Sequence, residues 1–347
     1  MKTLCILYFH NVKCSGLDGP KVTYFEKQIK LLKEYFKIVD LDTVAERILS
    51  KSMPKQPEVA ITFDDGFYSN YAYVEPILRK ERIKATVFIS TSHIYEKRVK
   101  RYNLFDYWEG KCSLKDIEQP YPNSLGNRVS TSEYKDHYMS EEELMEIEKG
   151  NLKVESHGHE HIKVFTAPLE LIDVWSDRVA IEKYGRYVWL KKIYGENRVR
   201  KYRYLPVFKF ASFHKTNITK PLIYELELII DLYKKGRNIK DIQKSIEIKG
   251  YSESMEEAKK RIYNDLVNSK ERLESLLNKK IIHLAWPFGE YSSISIETAK
   301  KAGYLALYTT KKKAITENSS IYEIERISVP KKDIELFIKL LKMIAWN

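Results

Sequence analysis

The stretch Val59-Ala60-Ile61-Thr62-Phe63-Asp64-Asp65-Gly66 decides how the rest of the chain is read. Five apolar or β-branched residues in succession read as a strand covered on both faces, the kind found in parallel sheets. Two carboxylates at the end of such a strand are costly unless something compensates them. Adjacent side chains point in different directions, so one carboxylate can hold a cation while the other stays free. Gly66 permits the tight exit that such a corner needs. A strand-ending turn with a helix cap would use the same residue types.

Working outward, Leu4 to Phe9 reads as a first strand. Tyr24 to Ile38 follows with Phe25, Ile29, Leu32 and Phe36 on one helical face. A helix is expected after Gly66, through Val74, Ile77 and Leu78, and then a strand from Ala85 to Ser90. Residues 95–138 lose periodicity and form a long excursion. Ser140 and Glu143 make a capping box for a helix ending near Gly150, and Leu152 to Glu155 is the next strand. Residues 162–250 are a second excursion, basic and aromatic, with a helix from Pro221 to Lys235. A helix from Ser254 to Asn278 returns the chain to a strand at 281–285. Helix 294–302, strand 304–309 and a closing amphipathic helix complete the pattern. Alternation of this kind predicts an α/β fold, a barrel-like parallel sheet carrying its chemistry at the C-terminal ends of the strands. One catalytic domain over 1–347 with two insertions is expected.

The strand at 152–155 delivers Ser156-His157-Gly158-His159-Glu160-His161. The chain has eight histidines, and three of them fall here within five positions. Two imidazoles and one carboxylate make an open site for a borderline divalent metal that keeps its water. A solvated histidine-rich loop would look similar. Composition sets the outer bounds: 347 residues, 43% apolar and 31% charged, describe a globular chain. The net charge of +12 admits an anionic partner or simply a lysine-rich surface. Three cysteines fit no metal or disulfide pattern. No apolar run is long enough to span a membrane, and the opening Met1-Lys2-Thr3, running straight into Leu4 to Phe9, is expected to begin a strand rather than a signal peptide. A reducing, cytoplasmic setting is therefore expected.

These residues resemble the polysaccharide deacetylase (NodB-homology) family. Thr62-Phe63-Asp64-Asp65-Gly66 looks like its first motif, and His157-Gly158-His159-Glu160-His161 is similar to its His-x-x-x-His second motif. Ala285-Trp286-Pro287-Phe288-Gly289-Glu290-Tyr291 resembles the Tyr-Pro-x-Gly loop of one branch, which includes poly-N-acetylglucosamine deacetylases. Tyr8-Phe9-His10-Asn11-Val12 resembles that branch's N-terminal Tyr-His segment. The resemblance implies a distorted (β/α) barrel and metal-dependent removal of an N-acetyl group from a sugar. It implies Asp65, His157 and His161 as ligands of a divalent metal, usually zinc, with cobalt, nickel or manganese as alternatives. It implies Asp64 as general base and His10 as the acid for the leaving amine, because no histidine follows His283.

The chain also departs from the family pattern. Ala285-Trp286 stands where many relatives have an arginine before proline, and Arg326 is expected to take over that role or to form an ordinary salt bridge. Trp286, Pro287 and Phe288 are expected at the substrate site, Trp286 and Phe288 as an acetyl pocket or sugar-stacking wall, although core that anchors the loop would look the same in sequence. Arg203, in the stretch to Phe208, is expected on a basic aromatic rim for glycan, with Arg326 a further substrate contact. His159 should point away from the metal. If no signal peptide is present, as expected, a lipid-linked or nucleotide-linked sugar is expected to fit better than an extracellular polymer. The final helix, with Ile334, Phe337, Leu341 and Ile344, would allow contact with an anionic membrane surface, although simple core packing more often explains such a face. A helix-turn-helix at 232–246 is too weak a pattern to predict nucleic-acid binding. A catalytically inactive sugar-binding relative is the main alternative.

Overall fold

The computed structural model describes residues 3–12, 22–117, 137–175, 187–195, 199, 204–330 and 333–346. The first half of the chain lays down β1 (Leu4–Phe9), α1 (Val22–Tyr35), β2 (Lys37–Ile38), α2 (Leu41–Ser50), β3 (Glu58–Phe63), α3 (Glu75–Glu81) and β4 (Ala85–Ile89). The first excursion carries α4 (Leu104–Trp108) and leads into α5 (Glu141–Lys149) and β5 (Leu152–Ser156). The second contains β6 (Lys163–Phe165), β7 (Leu171–Trp175), α6 (Tyr187–Tyr194), β8 (Leu205–Phe208), β9 (Phe210–Ser212), β10 (Thr219–Pro221), α7 (Ile223–Lys234), α8 (Ile239–Ser245) and β11 (Gly250–Ser252). The chain closes with α9 (Met255–Leu277), β12 (His283–Ala285), α10 (Ser293–Lys301), β13 (Ala306–Tyr308), β14 (Ile327–Ser328) and α11 (Ile334–Trp346).

One parallel sheet runs β13-β12-β5-β4-β3-β1-β14, with β2 also pairing with β3. It curls without closing through a regular ladder between β13 and β14. The segment just before β14 spans the gap: Tyr308 bridges Ile324, while Ile327 pairs with Leu7. The period-2 alternation of strand side chains sorts the core into two layers. Leu4, Ile6, Ala60, Phe88, Ala285, Ala306 and Tyr308 belong to one apolar cluster. Their neighbours Cys5, Leu7, Val59, Ile61, Val87, Leu284 and Leu307 belong to another, shared with the surrounding helices. The second excursion has a cluster of its own, including Phe165, Leu190, Leu205, Phe208, Leu226 and Ile242.

Local signals set most of the boundaries. Ser140 accepts from the Glu143 N–H while the Glu143 carboxylate accepts from the Ser140 N–H, the reciprocal cap expected from sequence. Ser254 and Glu257 cap α9 in the same way. Two expectations need correction. The segment from Tyr24 to Ile38 is not one helix: α1 ends at Tyr35, and Lys37–Ile38 pairs with β3. Phe36 is buried at the junction, so its place on the helical pattern serves the turn instead. The face of α11 carrying Phe337, Leu341 and Ile344 is packed into the core, where α11 meets α1, and is not open to a membrane surface. Among the described residues no helix is long and apolar enough to cross a membrane.

Arg326 fastens the curled sheet. It precedes β14, has no exposed surface, and reaches into the barrel interior. Its Nη1 and Nη2 donate to Asp64 Oδ1 and Oδ2 at 2.7 and 2.9 Å, and Nη1 also reaches Thr62 Oγ1 at 3.3 Å. Its Nε donates to the Thr309 carbonyl at 3.0 Å, just beyond β13. One guanidinium thus ties both sheet edges to β3. Removing one partner of a buried pair leaves an uncompensated charge, which typically costs about 3–5 kcal/mol. Arg326→Ala should lose about that much unfolding free energy in urea at pH 7; a loss under about 1 kcal/mol would contradict the clamp. Arg326 holds the Asp64 carboxyl below the usual aspartate range, against burial, which pushes it up. The clamp's contribution is therefore present above an unfolded aspartate's pKa of about 3.9 and is lost as acid reaches the lower native value. The gap between wild type and variant should accordingly narrow at pH 3.

Candidate metal centre

The site lies where β1, β3 and β5 end. Along β3 the inward residues are Ala60 and Thr62, and Asp64 continues that face, 2% exposed. Asp65 would continue the outward face, but its backbone turns at φ +75°, a left-handed conformation that Asp tolerates better than most residues. Gly66 also has φ +81°, and a Cβ there would lie 2.9 Å from Ile89 Cδ1. The corner swings the Asp65 carboxylate across to the histidines. His157 Nε2 and His161 Nε2 stand 3.4 and 3.3 Å from Asp65 Oδ1.

His157 Nδ1 donates to the Ala285 carbonyl at 2.7 Å. In a neutral imidazole this leaves the lone pair on Nε2, aimed at the aspartate oxygen. Burial holds His161 uncharged, pushing its pKa down to about 4 in spite of the nearby Asp65. Asp65 Oδ1 is buried and, among the described residues, has no hydrogen-bond donor. One ligand atom from each of Asp65, His157 and His161 lies within 4.8 Å of the other two. A cation is the group that this arrangement fits, and one carboxylate with two imidazoles makes a candidate site for a divalent metal.

A second layer holds the histidine loop. Asp265, on α9, accepts from the His159 and Glu160 N–H groups at 2.9 Å each, and His214 Nε2 lies 2.7 Å from its Oδ2. Both side chains are almost fully buried. Gly158, at φ +76°, sits directly against this pair. His159 turns away, as expected, with Nδ1 2.8 Å from Thr91 Oγ1. Sequence reasoning missed Asp265 and His214. A carboxylate on the apolar stripe of α9, between Ile262 and Leu266, was the signal that could have found them.

The remaining expected residues divide. His10 is half-buried and lies close enough for its charge to act on Asp64, Asp65 and His161. Phe288 packs its ring 4.3 Å from that of His161, at a backbone φ of +60°. Trp286 has no exposed surface, and Pro287 is buried too, so neither is open to a ligand as expected. The reason is the corner itself: with Phe288 turned outward, its neighbours fill the space beneath the loop. Arg326 is likewise sequestered on Asp64 and offers a ligand nothing. Arg203 lies outside the described residues. Sequence reading also overlooked His93, just before the first excursion, and Tyr138, at its end. The His93 ring stands 5.9 Å from His161 and 4.5 Å from Tyr138. Burial keeps His93 neutral, with a pKa near 3.

A family profile described as polysaccharide deacetylase matches residues 51–204 and 240–307, more than half of the chain. The protein YxkH of Bacillus subtilis (strain 168) is 24% identical over 163 residues; the match takes in 46% of this chain and 44% of YxkH, so the chain spans less than half of that curated relative. Among solved structures, a de-N-acetylase from Aggregatibacter actinomycetemcomitans superposes with a TM-score of 0.59 at 14% identity, covering 97% of this chain and 99% of that one. IcaB from Ammonifex degensii gives 0.56 at 15% identity, with 98% and 97% covered. The BpsB deacetylase domain from Bordetella bronchiseptica gives 0.55 at 17% identity, with 94% and 96% covered. At such identities these likenesses establish the shared fold. Taken with the profile match, they show that the chain belongs to the polysaccharide deacetylase family of NodB homology.

Proposed function

We propose that this protein is a divalent-metal hydrolase that removes the acetyl group from an N-acetylated amino sugar of a glycan or glycan precursor. The observation that carries the proposal is the division of labour within one pair of adjacent carboxylates. Asp65 faces the two histidines, whereas Asp64, its neighbour, is engaged by Arg326 and stays outside the candidate ligand set.

In this reading Asp65, His157 and His161 hold the metal, most simply zinc. When bound, the metal would polarise the amide carbonyl and lower the pKa of a water. Asp64 accepts the proton of the attacking water, and Arg326 keeps that carboxylate ionised and fixed in direction. His10 returns a proton to the departing amine nitrogen, so that amide and water become amine and acetate. The Ala285 carbonyl fixes the His157 tautomer, and the Asp265–His214 pair fixes the loop that carries His161. Phe288 excludes water from one side of the reacting amide.

Acetate release should be measured on four probes: N-acetylglucosamine, its β-1,4- and β-1,6-linked trimers, and UDP-N-acetylglucosamine, each with added zinc, cobalt or nickel. At least one probe should be turned over, and chelator should abolish the activity; silence on all four with every metal would defeat the assignment.

The roles separate by metal content. Asp64→Asn should retain metal by elemental analysis and lose about 10²–10⁴-fold in kcat, the range of a general base. Asp65→Ala and His157→Ala should lose the metal as well, and equal metal loss in all three would contradict the division.

His10→Ala should keep its metal and fall at least about 10²-fold in kcat. Unchanged turnover would remove His10 from the mechanism.

A further inference from the structure

The second excursion does more than pack. Directly after His161 the chain enters β6, and α6 returns to stand beside the metal centre. Two contacts fix it there. The Lys192 ammonium pairs with the carboxylate of Glu160, the residue before His161. Trp189 sets its ring 5.9 Å from Phe288, at 89° to it, and 5.5 Å from Phe210. The next residue, Leu190, is fully buried in the excursion's own apolar cluster, and the Tyr194 hydroxyl donates to the Pro206 carbonyl at 2.8 Å. Trp189 is therefore held by its helix rather than by its own burial. It remains half-exposed.

Three rings thus lead outward from the candidate ligands: His161, then Phe288 at 4.3 Å, then Trp189. The Phe288 and Trp189 rings meet at a right angle and form an apolar corner, with the Lys163 ammonium 4.8 Å from the Phe288 centroid. Pyranose rings carry one face of C–H groups, and a large flat aromatic is the side chain that covers such a face at little entropic cost. The corner borders the candidate ligands through the Phe288 ring, 4.3 Å from that of His161, within the span of one sugar ring from the atoms that would hold the acetyl group.

We infer that Trp189 is a substrate-binding residue, supplied by the second excursion, that stacks on a hexosamine ring of the substrate. The inference rests on the proposed deacetylase reading and adds the residue that selects a sugar over other acetylated compounds. Trp189 reads the ring, and the metal centre reads the acetyl group.

The test compares sugar with a ring-less acetyl donor. On whichever of the four sugar probes the wild type turns over, Trp189→Ala should raise KM at least tenfold with kcat within about threefold, because uniform binding is what it removes. Its kcat/KM for that sugar should fall at least tenfold more than its kcat/KM for 4-nitrophenyl acetate. Trp189→Phe, which keeps an aromatic face, should recover most of the loss, and circular dichroism and metal content should match wild type. Equal losses on sugar and ester, or an unchanged KM, would overturn the inference. If the wild type cleaves the ester and none of the sugars, the proposed function fails on its own, and stacking is read by fluorescence. Quenching by the β-1,4-linked and β-1,6-linked trimers in wild type but not in Trp189→Phe or Trp189→Ala would still support a sugar-stacking tryptophan; absence of quenching in the wild type would overturn it.

Discussion

A buried carboxylate that must stay ionised is the constraint around which this molecule is arranged. Asp64 sits inside the sheet at the end of β3 with almost no exposure, and burial alone would protonate it. Arg326 prevents that by a two-pronged hydrogen bond, the geometry that suits a guanidinium better than any other cation. The same guanidinium reaches the carbonyl of Thr309 and lies over the Tyr8 and Phe88 rings at 4.9 and 5.3 Å. Chemistry and architecture are coupled here. The residue that keeps a carboxylate charged is also the one that joins the two open edges of the sheet.

Asp65 shows the opposite solution to the same problem. It has no guanidinium; a left-handed backbone carries it off the strand's outward face and toward two imidazoles. Its Oδ1, which receives no hydrogen bond among the described residues, is the place where a positive charge is wanted. Each histidine is oriented from behind, His157 by the Ala285 carbonyl and the loop bearing His161 by Asp265. Precise placement of such groups depends on these outer partners as much as on the ligands themselves. The loop carrying Phe288 is bound to the excursion in turn: Glu290 pairs with Lys163 and accepts from the Ser212 N–H. The third motif is thereby tied to the insertion beside the candidate metal centre.

Much of this was readable in the linear sequence, for reasons that can be named. The run from Val59 to Gly66 showed a strand and its charged end because strand periodicity and carboxylate placement are local. The cap at Ser140 was legible because its partner Glu143 lies three residues away. The candidate ligands stood out because all three lie within five positions of a strand end. By contrast, Lys37–Ile38 continues a helical pattern, and only its pairing with β3 shows it to be a strand. Trp286 looked like a wall of the substrate site, yet the left-handed turn at Phe288 leaves it beneath the loop, without exposure. Asp265 and His214 escaped notice because they lie 51 positions apart and neither belongs to a motif.

The sequence by itself therefore determined the α/β alternation, the strand ends that carry chemistry and the residues able to hold a cation. Each of those depends on neighbours within a few positions. The tertiary structure decided which charges meet: that Arg326 engages Asp64 from 262 positions away, that His157 is aimed by Ala285, and that Trp189 comes to stand beside Phe288. Such pairings follow from the curl of the sheet and the path of its excursions, and no local preference encodes them.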